Sequence, residues 1–523
     1  MLEKNQMVEL HITGLTNEGN GVGRTEDGMT VFLPETAVGD QVKARIVKVS
    51  RNFAYGIVDE VVIPSPDRIE VDCGIFRPCG GCCFRHLSYE SELRAKEGFV
   101  GENLRRIGGL DLEQISFHPI EASPMINGYR NKAQYPVRLE NGRLQIGFYA
   151  RRSHRVVDCR HCHLHPPFFN TIVECIKAFV EDNKISIYDE VTHRGWLRHL
   201  YIRYGEKTGE VMVCLVVNGG KEDLTHKAQE LLIAQLKQAC SGIVSVMLNI
   251  NCKKGNTVLG RESITLYGRS YISDILCGLD FKISPLSFYQ VNRSGAEKLY
   301  GIAAQMAELT GDEVLLDLYC GTGTIGLSIA GQVKQVVGVE IVPQAVMDAK
   351  ENMERNHIRN AEFYCGDADA ASVLMASRGI RPDVVILDPP RKGCTPEVLQ
   401  AVAGMEPDRV VMVSCDSATL ARDLAVLVRL GYEVKQVQPV DMFPRTAHVE
   451  TCVLLSRRDI NTIKVKMEVK PEDKINMKPT YSRIKNYIME TYNMKVHTAN
   501  IAQVKRELGI GTRKKPIVEI QRN

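Results

Sequence analysis

Between residues 289 and 455, runs of buried-strand character alternate with amphipathic segments. EVLLDLY, VKQVVGVE, AEFYCGD, DVVILDPP and RVVMVSCD follow one another with helical patterns between most of them, and YEVKQVQPVDMF and HVETCVLLSR close the series. Strands that are apolar on both faces belong inside a sheet covered on both sides, and parallel pairing needs a crossover between each pair. The segment 289–457 is therefore expected to be α/β: a mainly parallel, Rossmann-like sheet wrapped by helices.

With 523 residues, 44% of them hydrophobic, the chain can bury more than this one core. In 4–63 the short alternating runs VELHITGL, TVFLP, QVKARIVKVS and FAYGIVDEVV are broken by turns such as NEGNGVG, the pattern of a small OB-like β-barrel. The run Gly19-Asn-Gly-Val-Gly-Arg, followed by a strand and VGDQVKARI, resembles the TRAM domain, an RNA-binding barrel. In 64–288, strand-like HLYIRY, VMVCLVV and SVMLNIN mix with helical stretches, which predicts a central α+β domain. The remainder, 458–523, reads as a charged linker, VKMEVKPEDKINMKP, and two short helices, TYSRIKNYIMETY and ANIAQVKRELGI.

The net charge of +3 does not identify a nucleic-acid binder, but its distribution is uneven. From Ile460 to Asn523 there are 14 Lys and Arg against 6 Asp and Glu, so this tail carries +8 and the rest of the chain about −5. Lys505, Arg506, Arg513, Lys514 and Lys515 lie near its end, where they would attract phosphates; a solvated helical pair is the alternative. No stretch has the ~18 uncharged apolar residues of a membrane helix. Met1 to Glu9 contains no apolar signal-peptide region. A cytoplasmic protein without a membrane partner is expected, and its sixteen cysteines are then thiols, metal ligands or nucleophiles rather than disulfides.

Cys73, Cys79 and Cys82 form C-x5-C-G-G-C, and Cys159 and Cys162 follow about eighty residues later. Three close thiolates and one distant one suit zinc or a 4Fe-4S cluster; zinc more often uses two C-x2-C pairs, so the uneven spacing favours the cluster. Cys83 and Cys159 are surplus to such a set and read as small buried hydrophobes.

Val314-Leu-Leu-Asp-Leu-Tyr-Cys-Gly-Thr-Gly-Thr-Ile-Gly places a buried strand directly before a glycine-rich turn and a helix. Glu340, about twenty residues after Gly321 and at the end of the next strand, can take the ribose hydroxyls of an adenosine cofactor. That spacing serves a nicotinamide dinucleotide as well as S-adenosylmethionine. Leu387-Asp388-Pro-Pro-Arg favours the methyl donor: it puts a carboxylate and a rigid turn at the ligand-binding edge of the sheet, as base methyltransferases commonly do. Cys415, in Val413-Ser-Cys-Asp, ends the fifth strand on the same edge. Carbon 5 of uracil is a poor nucleophile until a thiolate adds to C6, and a base must later remove the C5 proton; Cys415 and Glu450, in His448-Val-Glu, are the candidates.

The TRAM-like barrel, C-x5-C-G-G-C, F-Y-Q-V-N, L-D-L-Y-C-G-T-G-T-I-G, D-P-P-R, S-C-D and D-M-F-P-R-T-A-H-V-E occur in the order expected of the RNA uridine-C5 methyltransferase family. The resemblance covers roughly Met7 to Arg457, and barrel plus cluster cysteines make it most similar to the bacterial 23S ribosomal RNA branch. It implies that Gln290, Tyr319, Glu340 and Asp388 contact S-adenosylmethionine, that Cys415 is the nucleophile and that Glu450 is the base. It also implies Cys73, Cys79, Cys82 and Cys162 as ligands of a 4Fe-4S cluster, with Cys159 the competitor for the last place, and RNA as partner. A transfer-RNA enzyme and a non-catalytic RNA-binding iron-sulfur protein are the alternatives. Two departures stand out: Asp416 where Asn is common, and the tail after about Ile460.

Overall fold

The computed structural model describes residues 2–458, 462–466 and 517–521, together with Ser482, Lys485, Asn486 and Met489. Met1–Ser456 forms one compact unit and Arg457–Asn523 a second.

The first unit opens with five strands, β1 (Met7–Leu15), β2 (Gly21–Arg24), β3 (Thr30–Leu33), β4 (Gln41–Val49) and β5 (Phe53–Ile63), closed into a barrel in the order β1-β2-β3-β5-β4. Alternate residues point inward, so Leu10, Ile12, Val31, Leu33, Val42, Ala44, Ile46 and Ala54 fill the interior. Gly19, at φ 80°, lies in the β1–β2 turn against the cysteine loop; a Cβ there would stand 2.9 Å from that of Cys83.

Two elements that follow the barrel serve the last domain. Helix α1 (Tyr89–Arg106), capped by the Ser88 side chain, and strand β6 (Ser116–Phe117) come from the segment expected to be a separate α+β domain. Yet α1 packs on the helix Ser417–Arg429 of the Rossmann-like domain, and β6 adds the outermost strand of the large sheet.

The central region is a seven-stranded sheet built from β7 (Lys132–Glu140), β8 (Arg143–Tyr149), β9 (Val156–Asp158), β10 (Leu197–Tyr204), β11 (Val211–Val217), β12 (Ile243–Ile250) and β13 (Glu262–Gly268), in the order β13-β12-β11-β10-β7-β8-β9. Helices α2 (Phe168–Asp182) and α3 (His226–Ala239) pack against it. HLYIRY, VMVCLVV and SVMLNIN contribute to β10, β11 and β12. Strand β11 is buried along its whole length because its two faces serve two cores: Val211, Val213, Leu215 and Val217 pack with α2 and α3, whereas Met212, Cys214 and Val216 join the core of the Rossmann-like domain. That shared core makes the first unit one body.

After the hairpin β14 (Ile272–Leu276) and β15 (Leu279–Ile283) and helix α4 (Arg293–Met306), the chain builds the large sheet. Its strands are β16 (Val314–Leu318), β17 (Gln335–Glu340), β18 (Ala361–Cys365), β19 (Val384–Leu387), β20 (Arg409–Ser414), β21 (Tyr432–Val440) and β22 (Glu450–Arg457). Helices α5 (Thr324–Ile329), α6 (Pro343–Arg355), α7 (Ala368–Ser377), α8 (Pro396–Gly404) and α9 (Ser417–Arg429) connect them. The order is β18-β17-β16-β19-β20-β22-β21-β6; β16 to β20 run parallel and β22 runs antiparallel to β20. This is the Rossmann-like α/β arrangement expected from the alternation, and its strand order reverses between β16 and β19, where ligands of open sheets bind.

In the second unit β23 (Thr462–Lys466) pairs antiparallel with β24 (Ile517–Gln521). The expected linker therefore begins inside a strand, whose partner lies some fifty residues on and leaves no local signal. Ser482, Lys485, Asn486 and Met489 are helical, within the first expected tail helix. The second expected helix and the basic cluster from Lys505 to Lys515 lie outside the described residues.

Candidate active site and cysteine-lined cavity

After β16 the chain turns through Tyr319-Cys-Gly-Thr-Gly into α5. Tyr319, Gly321 and Gly323 all take left-handed backbone, at φ 64°, 54° and 80°. Among the described residues a Cβ at Gly321 would meet nothing within 4 Å, so the turn is open there; at Gly323 it would press on Phe363. The Glu340 carboxylate, closing β17, accepts the N–H of Gly321 (3.2 Å) and of Val342 (2.9 Å). One oxygen of buried Asp317 accepts the Gly326 N–H (2.9 Å) and the other has no partner among the described residues; burial pushes this carboxyl up to about 7. The segment F-Y-Q-V-N meets the turn where Thr322 Oγ1 donates to the Phe288 carbonyl (3.3 Å), and Asn131 holds the carbonyl of nearly buried Gln290 (2.9 Å). Gln290, Tyr319 and Glu340 thus gather around one strand-to-helix turn, whose open face at Gly321 and strand-end carboxylate suit an adenosine-bearing methyl donor.

Asp388, Cys415 and Glu450 stand at the neighbouring ends of β19, β20 and β22. The ladder Val413↔Cys452, Ser414↔Thr451, continued by one residue, sets Cys415 opposite Glu450. Burial pushes Asp388 up to about 7, Glu450 to about 8 and the Cys415 thiol to about 11. The Asp388 charge adds to the shift of Glu450, and both carboxyls add to that of the thiol. Arg391, just after the Pro-Pro turn, opposes both shifts and donates to His448 Nε2 (3.1 Å). Burial holds His448 down at about 4, so its ring is neutral and accepts that bond. Asp416 caps α9: one carboxylate oxygen accepts the N–H of Ala418 (3.0 Å) and Thr419 (2.9 Å), a role that Asn performs equally well.

Cys73, Cys79, Cys82, Cys159, Cys162 and His165 line one cavity of about 110 Å³, so the structure gathers all four predicted ligands and the competitor. Among the described residues, no three His, Cys, Asp or Glu side chains are placed to hold a metal ion. Burial pushes the Cys82 thiol up to about 12 and raises that of Cys79, to which nearby Cys162 and Cys73 add. A hydrogen bond between Cys159 and Cys162 holds the Cys162 thiol below its ordinary value and raises that of Cys159. Cys83 is turned away, buried beside Phe84 and Leu87.

Asp317, Arg391 and His448 have no assigned role in the sequence reading. Asp317 had a signal, a carboxylate inside the apolar strand V-L-L-D-L; Arg391 and His448 acquire meaning only from being brought together across 57 residues.

A model of the tRNA (uracil-5-)-methyltransferase family matches residues 122–458, and one of the TRAM domain matches residues 2–58. A protein of Clostridium tetani named as an uncharacterized RNA methyltransferase is 43% identical over 87% of this chain and 97% of its own length. One of Halalkalibacterium halodurans with the same description is 43% identical over 88% and 98%. Among solved structures, the Pyrococcus abyssi tRNA (uracil-54, C5)-methyltransferase in complex with S-adenosyl-L-homocysteine superimposes with a TM-score of 0.67 at 27% identity, covering 86% of this chain and 99% of that one. The chain belongs to the tRNA (uracil-5-)-methyltransferase family, S-adenosylmethionine-dependent RNA methyltransferases, and carries an N-terminal TRAM domain.

Proposed function

We propose that this protein methylates C5 of a uridine in 23S ribosomal RNA, in the cytoplasm, through a transient bond between Cys415 and C6. The observation that carries the reading is the position of Cys415 opposite Glu450, with Asp388 at the adjoining strand end. S-adenosylmethionine, when bound, supplies an electrophilic methyl group; Gln290, Tyr319, Glu340 and Asp388 hold it at the glycine-rich turn. The Cys415 sulfur, once deprotonated, bonds to C6 and pushes the C5=C6 electron pair toward C5, which bonds to the donor's methyl carbon as the methyl–sulfonium bond breaks and S-adenosylhomocysteine is left. The Glu450 carboxylate then takes the C5 proton, the electron pair returns to the ring, and the sulfur–C6 bond breaks. Arg391 lies where it favours both the thiolate and the carboxylate.

Cys73, Cys79, Cys82 and Cys162 would hold a 4Fe-4S cluster. The four thiols line one cavity, with three histidines beside them, and their uneven three-plus-one spacing suits a 4Fe-4S cluster better than zinc, which more often takes two C-x2-C pairs. The family resemblance favours Cys162 as the fourth ligand, and Cys159 lines the same cavity beside it. The cluster's role here is structural, since methyl transfer needs no electron.

A second reading, transfer RNA as substrate, is favoured by the likeness to the Pyrococcus abyssi enzyme. Anaerobically purified protein, incubated with isotopically labelled S-adenosylmethionine and unmodified ribosomal or transfer RNA, separates the two. Label recovered as 5-methyluridine from 23S RNA supports the first, and from transfer RNA the second. Label in another nucleoside, or in none, removes the role given to Cys415.

A further inference from the structure

The strip Asp441-Met-Phe-Pro-Arg-Thr leads directly into His448 and Glu450 and is held from several directions. Lys96, on α1, is fully buried, and its ammonium donates to Glu92 (2.7 Å), to Asp441 Oδ1 (2.8 Å) and to the Phe443 carbonyl (3.2 Å). Tyr89, on the same helical face, donates to the other Asp441 oxygen (2.9 Å). Glu92, also fully buried, accepts the backbone N–H of Arg445 (2.6 Å) and its guanidinium (3.3 Å). Arg445 itself adopts φ 67°, left-handed backbone that a non-glycine residue keeps only when its surroundings impose it. Its carbonyl accepts the N–H groups of Cys83 and Phe84, the end of the cysteine loop.

Buried charges of this kind are poor devices for stability, because well-packed apolar side chains often serve as well. What an apolar side chain cannot do is fix the position of a carbonyl oxygen and a carboxylate. All three Lys96 donors have acceptors, two of them on the strip, and Glu92 secures the left-handed turn beyond. We propose that Lys96 is a positioning residue for Glu450: together with Glu92 and Asp441 it sets where β22 begins, and so aims the base at the C5 proton. Lys96 touches none of the reacting atoms. The inference rests on the roles given above to Cys415 and Glu450.

The predicted signature is a stalled intermediate. A displaced base leaves C6 attack and methylation intact but slows proton removal, so the protein–RNA bond persists. The test compares Glu450→Gln, Lys96→Met and Asp441→Asn for S-adenosylmethionine binding, for kcat and KM with RNA, and for a protein–RNA adduct that survives denaturing electrophoresis. Glu450→Gln is expected to trap the adduct. Lys96→Met is expected to lower kcat by roughly 10–100-fold, the scale of an ångström's misplacement, with KM little changed and the same adduct accumulating. Asp441→Asn, which keeps the shape of the carboxylate, should act in the same direction more weakly; if Lys96→Met no longer binds S-adenosylmethionine, this variant decides by the same readouts. Slow turnover without adduct, or wild-type turnover, in a background where Glu450→Gln does trap, overturns the positioning role alone. Failure of Glu450→Gln to trap overturns the catalytic pair and this inference with it.

Discussion

Cys415 and Glu450 face each other one residue beyond the last rung of the β20–β22 ladder, a nucleophile candidate and a base candidate held opposite by the register of one antiparallel pair. Directly opposed residues have Cβ atoms about 4.5–5.5 Å apart, close enough for both to address one pyrimidine ring. No loop separates either residue from its strand, so the pairing of the strands sets which two side chains face each other.

Cys415→Ala is expected to abolish methylation and adduct formation while leaving affinity for S-adenosylmethionine unchanged, because Cys415 lies at a different strand end from the glycine-rich turn. Equilibrium binding of the methyl donor beside single-turnover methylation checks both halves. Residual C5 methylation in the alanine variant would defeat covalent catalysis.

Breakdown of the Cys415 adduct is expected to accelerate as pH rises toward about 8. Glu450 sits near that value, so below it the carboxyl is mostly protonated and cannot accept the C5 proton. The decay rate of pre-formed adduct should climb roughly tenfold per pH unit on the acid side and level off above pH 8. A profile flat from pH 6 to 9 would remove Glu450 from this step.

The same burial costs stability. A carboxyl raised from 4.5 to about 8 binds its proton more tightly folded than unfolded, so its unfavourable contribution is absent below the unfolded value. It grows as pH rises from 4.5 and is complete above about 8. Glu450→Gln removes the ionisation, and is expected to stabilise the protein at pH 8.5 by about 1–3 kcal/mol relative to wild type, with little difference near pH 5. Denaturant midpoints at the two pH values measure this.

The sheet that carries the site was legible because its strands are apolar on both faces and its turns carry Gly321, Gly323 and the Pro-Pro after Asp388, all local signals. What escaped depends on distance along the chain. Helix α1 shows polar residues at positions that prove buried; Lys96 resembles any surface lysine until Asp441, 345 residues away, is folded against it. Strand β6 is two residues long and exists only because β21 offers it an edge. Arg391 and His448 likewise become neighbours only in the closed sheet, and the boundary between central and Rossmann-like regions dissolves because β11 serves both cores.

The cysteine cavity yields a test that separates its two close candidates. If Cys162 is the fourth ligand and Cys159 its hydrogen-bonding support, then Cys162→Ser, like changes at Cys73, Cys79 or Cys82, should lose iron and inorganic sulfide on anaerobic reconstitution. Cys159→Ser should retain both, because a hydroxyl can still donate to the Cys162 sulfur. Reversal of that pattern would make Cys159 the ligand. Because the cysteine loop is bonded through Cys83 and Phe84 to the Arg445 carbonyl, loss of the cluster should also lower the unfolding temperature of the Met1–Ser456 unit, with no new redox product in the methylation assay. Iron and sulfide analysis, followed by thermal unfolding of the same samples, distinguishes ligand from support and structural role from catalytic one.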